Sequence, residues 1–357
     1  MVDDGRPRRG FRGHQLCIHR LGKQAMSAPR SDTSAAVEDR TSELQSGGIA
    51  LRIAGLHKSY GDREVVRGVD VEVQAGECFG LLGRNGAGKT TIIEICEGYL
   101  NRDSGIVEVL GEDPQSPSPS WRSRLGIVPQ DMQVPPSLTV RETVRMFADL
   151  YTHSRGVDEV LGLVGLEARS SSRVGKLSGG EKRRLDVALG LIGDPQIVFL
   201  DEPTTGLDPE ARRGMWAMIE GLKDSGVTII LTTHYMEEAQ VLADRLVILA
   251  EGAVAAEGTF AELQDSLGGR STIAFRISQV NASAALVPPL PHVVLEGGAS
   301  TQIASQDVTA DLMSLLTWAK TDDVTLGDLT VTRESLEDLF LSIGRREIDD
   351  HEREVSR

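Results

Sequence analysis

The chain has 357 residues, 40% of them hydrophobic, which is enough to build one large domain and a smaller one. Its formal net charge of −15 is the wrong sign for a nucleic-acid binder, and no apolar run reaches the roughly 18 residues that a membrane-spanning helix needs. The three cysteines, Cys17, Cys78 and Cys96, are odd in number and show no CxxC spacing, which argues against a disulfide framework or zinc site and fits a reducing cytoplasm.

Residues 1–47 are rich in Arg, Ser, Asp and Gly, show little periodicity and read as a disordered leader. The stretch "RPRRGFR" reads as a solvated tail, no apolar core of a signal peptide follows it, and Met26 is a candidate start. Order begins at "IALRIAGLHKSYG". Its alternation continues through "VVRGVDVEVQAGE" and predicts an antiparallel hairpin region. "CFGLLG" is a short buried-strand run, "GRNGAGKTT" a Gly-rich loop and "KTTIIEICEGYL" a helix. Cys78 and Cys96 flank this loop in apolar patterns and read as small buried residues.

"TVRETVRMFADLY" places Val140, Val144, Phe147 and Tyr151 on one helical face. With "GVDEVLGLVGL" and a helix over 180–192 it forms a helical insertion, about residues 131–192. "QIVFLDEP" and "VTIILTTH" are buried strands separated by a helix, and "RLVILAEGAVAAEGT" is a closing hairpin. The alternation predicts an α/β core over 48–268 with an antiparallel β subdomain and the helical insert. After a composition break near Leu267–Gly269, "STIAFRIS", "HVVLEG" and "TQIAS" read as strands, and "DLMSLLTWAK" and "ESLEDLFLSI" as helices. They make a small C-terminal α+β domain over 269–344, followed by a charged tail, 345–357.

The chemistry concentrates at strand ends. "GRNGAGKT" fits the G-x-x-x-x-G-K-[ST] phosphate loop, with Gly83, Asn85, Gly86 and Gly88 shaping a cradle of backbone N–H groups. Lys89 then neutralises the β- and γ-phosphates of a nucleotide, Thr90 supplies a hydroxyl to Mg²⁺, and Thr91 continues the helix start. "IVFLDEP" ends in two carboxylates: Asp201 for Mg²⁺ and Glu202 to polarise the attacking water. His234, at the end of the next apolar strand, is placed to reach the γ-phosphate and that water. Gln130, after "GIVP", offers an amide to Mg²⁺ or water, against the plainer reading of a turn after Pro129. Tyr60 offers a ring for adenine, against the plainer reading of a strand aromatic. A second helix start, "KLSGGEKRRLDVALG", also has the form of an anion site, and Ser178 to Glu181 by itself reads as an S-x-x-E capping box.

Taken in order and spacing, "GRNGAGKTT", "PQ", "LSGGE", "IVFLDEP", "GLDP" and "TTH" resemble the ATP-binding subunit of an ABC transporter, a P-loop NTPase, over roughly residues 49 to 260. The resemblance implies ATP and Mg²⁺ as ligands, Tyr60 stacking on adenine, Gln130 sensing the nucleotide, Glu202 as general base and His234 as switch residue. It implies that Ser178, Gly179 and Gly180 cap an ATP held by a second copy in a head-to-tail homodimer, with Asp208 at the seam. The phosphate loop and the Ser-Gly-Gly helix start of one chain would then serve different nucleotides. "LSGGEKRRLDVALGLIGDP" and "ESLEDLFLSIGRRE" look like subunits that pair with ABC-2-type export permeases, daunorubicin-resistance exporters among them. That implies a permease partner, drug, antibiotic or lipid-like cargo, and a cytoplasmic place on the inner face of the cell membrane. The segment from Gln130 to about Tyr151 is the expected coupling surface. The missing heptad run and the missing second phosphate loop exclude the chromosome-organising and ribosome-acting branches. A non-transport ATPase acting in resistance or regulation through the C-terminal domain stands as the alternative. The family's common residue at position 181 is Gln; Glu181 here could accept a hydrogen bond from the partner ATP's ribose.

Overall fold

The computed structural model describes residues 48–130, 132–266, 271–279, 293–295, 301–305 and 307–333. The leader with Cys17, the composition break near Leu267, the "ESLEDLFLSI" helix and the charged tail lie outside the described residues. The chain divides into two compact units, Met1–Glu257 and Gly258–Arg357, slightly ahead of that break.

In the first unit, β1 (Ile49–Tyr60) and β2 (Arg63–Gln74) form the antiparallel hairpin that the alternation predicts. Then come β3 (Cys78–Gly83), α1 (Lys89–Cys96), β4 (Ser104–Val109), β5 (Leu125–Val128), α2 (Val140–Ala148), α3 (Val157–Leu163) and α4 (Gly179–Leu191). They are followed by β6 (Ile197–Asp201), α5 (Pro209–Asp224), β7 (Thr228–Thr233), α6 (Met236–Leu242), β8 (Arg245–Ala250) and β9 (Ala253–Gly258). Strands β2, β1 and β4 make a three-stranded sheet; the order β5-β6-β7-β3-β8-β9 makes a six-stranded one, parallel from β5 through β8. The α/β class with an antiparallel subdomain and a helical insertion is therefore borne out.

The near-continuous apolar runs of β3, β6 and β7 follow from burial on both faces. Ile197 and Phe199 of β6 join a core with Leu51, Ile53, Ile92 and Trp121 on one side. Val198 and Leu200 join a core with Val144, Leu161, Leu185 and Ile219 on the other. Because parallel strands share a direction, β3, β5, β6 and β7 all deliver their C-terminal ends, and the residues after them, to one edge. Cys78 and Cys96 are both free and buried, and burial pushes the Cys78 thiol up to about 12.

One expectation is corrected locally. The helix expected through Tyr151 stops at Ala148, with Asp149 as C-cap. Tyr151 instead lies against Gly193, where a Cβ would sit 2.3 Å from the ring. The α4 helix also runs close to β5: a Cβ at Gly126 would meet the Gly190 carbonyl oxygen at 2.6 Å.

In the second unit, α7 (Phe260–Ser266) precedes β10 (Ser271–Gln279), β11 (Val293–Leu295), β12 (Thr301–Ser305), α8 (Val308–Thr321) and β13 (Thr325–Arg333). The strands form one antiparallel sheet ordered β11-β12-β10-β13, and Ile273, Phe275, Ile303, Leu315 and Trp318 make the core between sheet and α8. The sequence pattern hides β13, because Gly327 and the left-handed Asp328 break its alternation where the pairing with β10 shifts register.

Gly126→Ala should destabilise the first unit by about 1–3 kcal/mol, since a backbone carbonyl cannot step aside. Gly221→Ala, in the interior of α5 with nothing within 4 Å of the new Cβ, should raise stability by about 0.5–1 kcal/mol. Urea titration of both variants checks the opposite signs.

Candidate functional site

The Gly-rich loop connects β3 to α1 and takes its shape from close approaches. Gly88 has φ 100°, and a Cβ there would lie 2.9 Å from the Val65 carbonyl oxygen, so only glycine fits. Gly88 caps α1 without any side-chain bond, and the first turn of that helix holds no acidic residue. Its N–H groups and the positive end of its dipole therefore face outward unopposed. Arg84, Asn85, Gly86 and Thr90 are exposed, while Lys89 is buried, at 4% exposure. The Lys89 ammonium donates to the carbonyls of Gly83 at 2.7 Å and Arg84 at 3.2 Å and lies 3.7 Å from Glu202 Oε1. Burial pulls its pKa down, and the carboxylates of Glu202 and Asp201 oppose that shift.

The second strand end supplies the carboxylates. Asp201 accepts a hydrogen bond from the Thr232 hydroxyl, and burial is the main cause lifting its pKa above the usual carboxylate range. Glu202 adopts φ 44°, left-handed for a non-glycine residue, and its N–H donates to the hydroxyl and carbonyl of Thr232. That turn swings the Glu202 side chain over the sheet edge. Its Oε1 lies 3.3 Å from His234 Nδ1, without hydrogen-bond alignment, and its Oε2 accepts from Thr205 Oγ1 at 3.1 Å and lies 3.4 Å from Gln130 Nε2. Lys89, Gln130 and His234, read from three separate motifs, thus meet at one carboxylate.

The remaining candidates stand apart from that group. Ser178 and Glu181 form a reciprocal capping box: Ser178 N–H donates to Glu181 Oε2 at 2.8 Å, and Glu181 N–H to Ser178 Oγ at 3.2 Å. Ser178 and Gly179 are exposed, and Gly180 packs on α5, where a Cβ would lie 2.9 Å from Ala211 Cβ. Asp208 caps α5 through the N–H groups of Glu210 and Ala211, ahead of Pro209 at the first helical position. Tyr60 is 49% exposed at the end of β1, with the Lys58 ammonium 5.8 Å from its ring centre. Among the described residues, no hydrogen bond or ion pair joins Ser178, Gly179, Gly180, Asp208 or Tyr60 to the Glu202 cluster.

One residue of the site escapes the sequence motifs. Arg183, on the second turn of α4 and 7% exposed, spreads its guanidinium over four backbone carbonyls. It donates to Pro129 at 2.6 Å, Asp201 at 2.7 Å, Pro203 at 2.9 Å and, at 3.4 Å, Gln130, and lies 3.8 Å from the Asp186 carboxylate. The turn that holds Gln130 and the turn that holds Glu202 are therefore tied to the Ser-Gly-Gly helix by one planar fork. The only trace in the sequence is the Arg183-Arg184 pair inside an otherwise buried helix.

Residues 66–205 match the ABC transporter family model, and residues 271–335 match a family described as the C-terminal domain of ABC transporter domain-containing proteins. The linearmycin resistance ATP-binding protein LnrL of Bacillus subtilis (strain 168) is 34% identical over 310 residues, covering 84% of this chain and 100% of that protein. The chain belongs to the ATP-binding subunits of ABC transporters. The Nod factor export ATP-binding protein I of Rhizobium sp. (strain N33) is 47% identical over 216 residues, 59% of this chain and 71% of that one. A solved ATP-binding subunit of an ABC transporter superposes with a TM-score of 0.55 at 29% identity, covering 61% of this chain and 93% of that structure. As a member of this family, the protein is an ATP-binding ATPase.

Arg183→Lys keeps the charge but loses the fork, so at least two of the four carbonyls lose their donor. We expect a stability loss of about 1–3 kcal/mol and ATP turnover at least about tenfold lower through misplacement of Gln130 and Glu202. Thermal unfolding and phosphate release check the two effects separately.

Proposed function

We propose that this ATPase powers a membrane exporter of the ABC-2 type, working as a head-to-tail homodimer with two ATP molecules at its seams. The observation that carries this reading is the convergence of Lys89, Gln130 and His234 on Glu202, in a chain whose second anion-binding helix start joins none of them. Within the described residues no helix is long and apolar enough to cross a membrane. The transport path therefore belongs to a partner, an integral permease that holds this subunit at the inner face of the cell membrane. Export and resistance are the activities named for the two relatives above, and they are carried to this chain here.

In the proposed mechanism, Tyr60 stacks on the adenine and the loop Gly83–Thr91 wraps the phosphates, Asn85, Gly86 and Gly88 exposing backbone N–H groups. Lys89, already buried beside Glu202, is held where a γ-phosphate would take over its charge. Glu202 accepts a proton from the attacking water as the water oxygen bonds to the γ-phosphorus and the bond to the β-phosphate oxygen breaks. His234 and Gln130 orient that water and the γ-phosphate. The second chain's Ser178, Gly179 and Gly180 complete the cage, with Asp208 at the seam, so that hydrolysis loosens the dimer and the permease follows.

The donor set suits Mg²⁺. Thr90, Gln130 and Asp201 offer hard oxygens, and no group of three or more His, Cys, Asp or Glu side chains gathers among the described residues. A few protein oxygens completed by phosphate and water is the usual Mg²⁺ arrangement. When bound, Mg²⁺ neutralises the phosphate charge. The segment from Gln130 to about Tyr151 is proposed to carry the nucleotide state to the permease, since Gln130 sits at its head.

Glu202→Gln should keep ATP binding, lose turnover by about 100-fold or more, and accumulate as an ATP-dependent dimer. Phosphate release and light scattering test both; near-normal turnover would remove Glu202 as the base.

A further inference from the structure

Glu181 is the anomaly of the Ser-Gly-Gly helix start, because it places a carboxylate where the common family residue is the neutral Gln. Both of its oxygens are engaged inside the chain. Oε2 accepts the Ser178 N–H at 2.8 Å and Oε1 accepts the Arg169 Nε–H at 2.7 Å. Arg169 comes from the short turn Glu167–Arg169, outside every motif, and its side chain is 56% exposed against 14% for Glu181. The placement of that turn is fixed. Leu166 before it is fully buried, Arg169 N–H donates to the Leu166 carbonyl at 3.0 Å, and the carbonyls of Ser170 and Ser172 accept from the first N–H groups of α2.

An uncompensated carboxylate at the third helical position would offset the positive end of the helix dipole and repel an incoming phosphate. With Ser178 N–H and Glu181 N–H held by the box, the N–H groups of Gly179 and Gly180 remain without a partner among the described residues. They would meet a polyphosphate with Glu181 alongside.

We propose that Arg169 is a positioning residue for the nucleotide held between two chains: it neutralises and holds Glu181, so that the α4 helix start presents its free N–H groups without a net negative charge. The proposal rests on the head-to-tail reading. The Arg169–Glu181 pair then does here what an uncharged Gln does in the common form. Each Glu181 oxygen already accepts one bond inside the chain, so a ribose hydroxyl would have to share an oxygen with Ser178 N–H or Arg169. The low pKa of Glu181, caused first by the Ser178 N–H and then by Arg169, keeps the carboxylate ionised and the compensation necessary. With Arg169 more than half exposed the pair contributes little to folding, so removing the arginine should not unfold the subunit.

The test uses the full chain carrying Glu202→Gln and reads ATP-dependent dimerisation by light scattering, with thermal unfolding and nucleotide binding by the isolated subunit as controls. Arg169→Ala should weaken dimerisation about tenfold, because the repulsion acts at both seams of the symmetric dimer. Arg169→Lys should recover most of it. Arg169→Ala combined with Glu181→Gln should dimerise as the parent does, since the charge needing compensation is gone. Unfolding temperature and nucleotide binding by the isolated subunit should stay unchanged throughout. Unchanged dimerisation in Arg169→Ala, or a loss that Glu181→Gln does not recover, would overturn the proposal. A parent that never dimerises with ATP overturns the head-to-tail reading and this proposal with it, an outcome that the parent alone reveals.

Discussion

The guanidinium of Arg183 is the interaction on which the rest of the site depends. It ties the carbonyl of Pro129, just after β5, and those of Asp201 and Pro203, at and just after the end of β6, to one helix. A buried cation is costly unless its donors are all used, and here the fork reaches Pro129, Asp201 and Pro203 while Asp186 balances the charge. The same fork sets where Gln130 and Glu202 can stand relative to the first turn of α4. Under the proposed mechanism, a shift of the Ser-Gly-Gly helix start is thus felt at Glu202 through one side chain and the two turns it holds.

Around that anchor the electrostatics are arranged by burial more than by charge count. The chain is strongly acidic, yet the site holds a buried ammonium, Lys89, and a carboxylate, Asp201, whose shifts run in opposite directions. Burial lowers Lys89 and raises Asp201, and each is partly restored by the other's charge. This mutual dependence explains why Lys89 folds back onto Gly83, Arg84 and Glu202 in place of reaching into solvent. Under the proposed mechanism a polyphosphate supplies a second anion for Lys89 and leaves Glu202 free to act on water.

The parts of the site visible in the sequence are those that phosphate chemistry forces into fixed local spacing. A loop that wraps oxygens needs Gly86 and Gly88 beside Lys89. Carboxylates at a strand end need an apolar run before them, and β6 and β7 provide it for Asp201, Glu202 and His234. The α/β alternation was legible for the same reason, because strands buried on both faces leave continuous apolar runs. Arg183 and Arg169 were not legible, since each works through a tertiary contact to a backbone carbonyl or a distant carboxylate that no spacing records. The helix end before Tyr151 and the strand β13 failed on local grounds. Gly193 admits the tyrosine ring where periodicity would continue the helix, and Gly327 with Asp328 breaks the alternation that would announce a strand.

The two helix starts differ in a way that explains why one chain carries both. At α1 the cap is a bare glycine, no acidic residue stands in the first turn, and a buried lysine adds a full charge. That cradle can hold a polyphosphate unaided. At α4 a reciprocal box uses two of the N–H groups, a carboxylate stands in the first turn, and Arg169 pairs with that carboxylate. In the proposed head-to-tail dimer, such a site would add to binding only when another chain brings the phosphate to it. That inequality suits a cycle of association and release: under the proposal the reversible step lies at the seam between chains, and the phosphate loop is the fixed one.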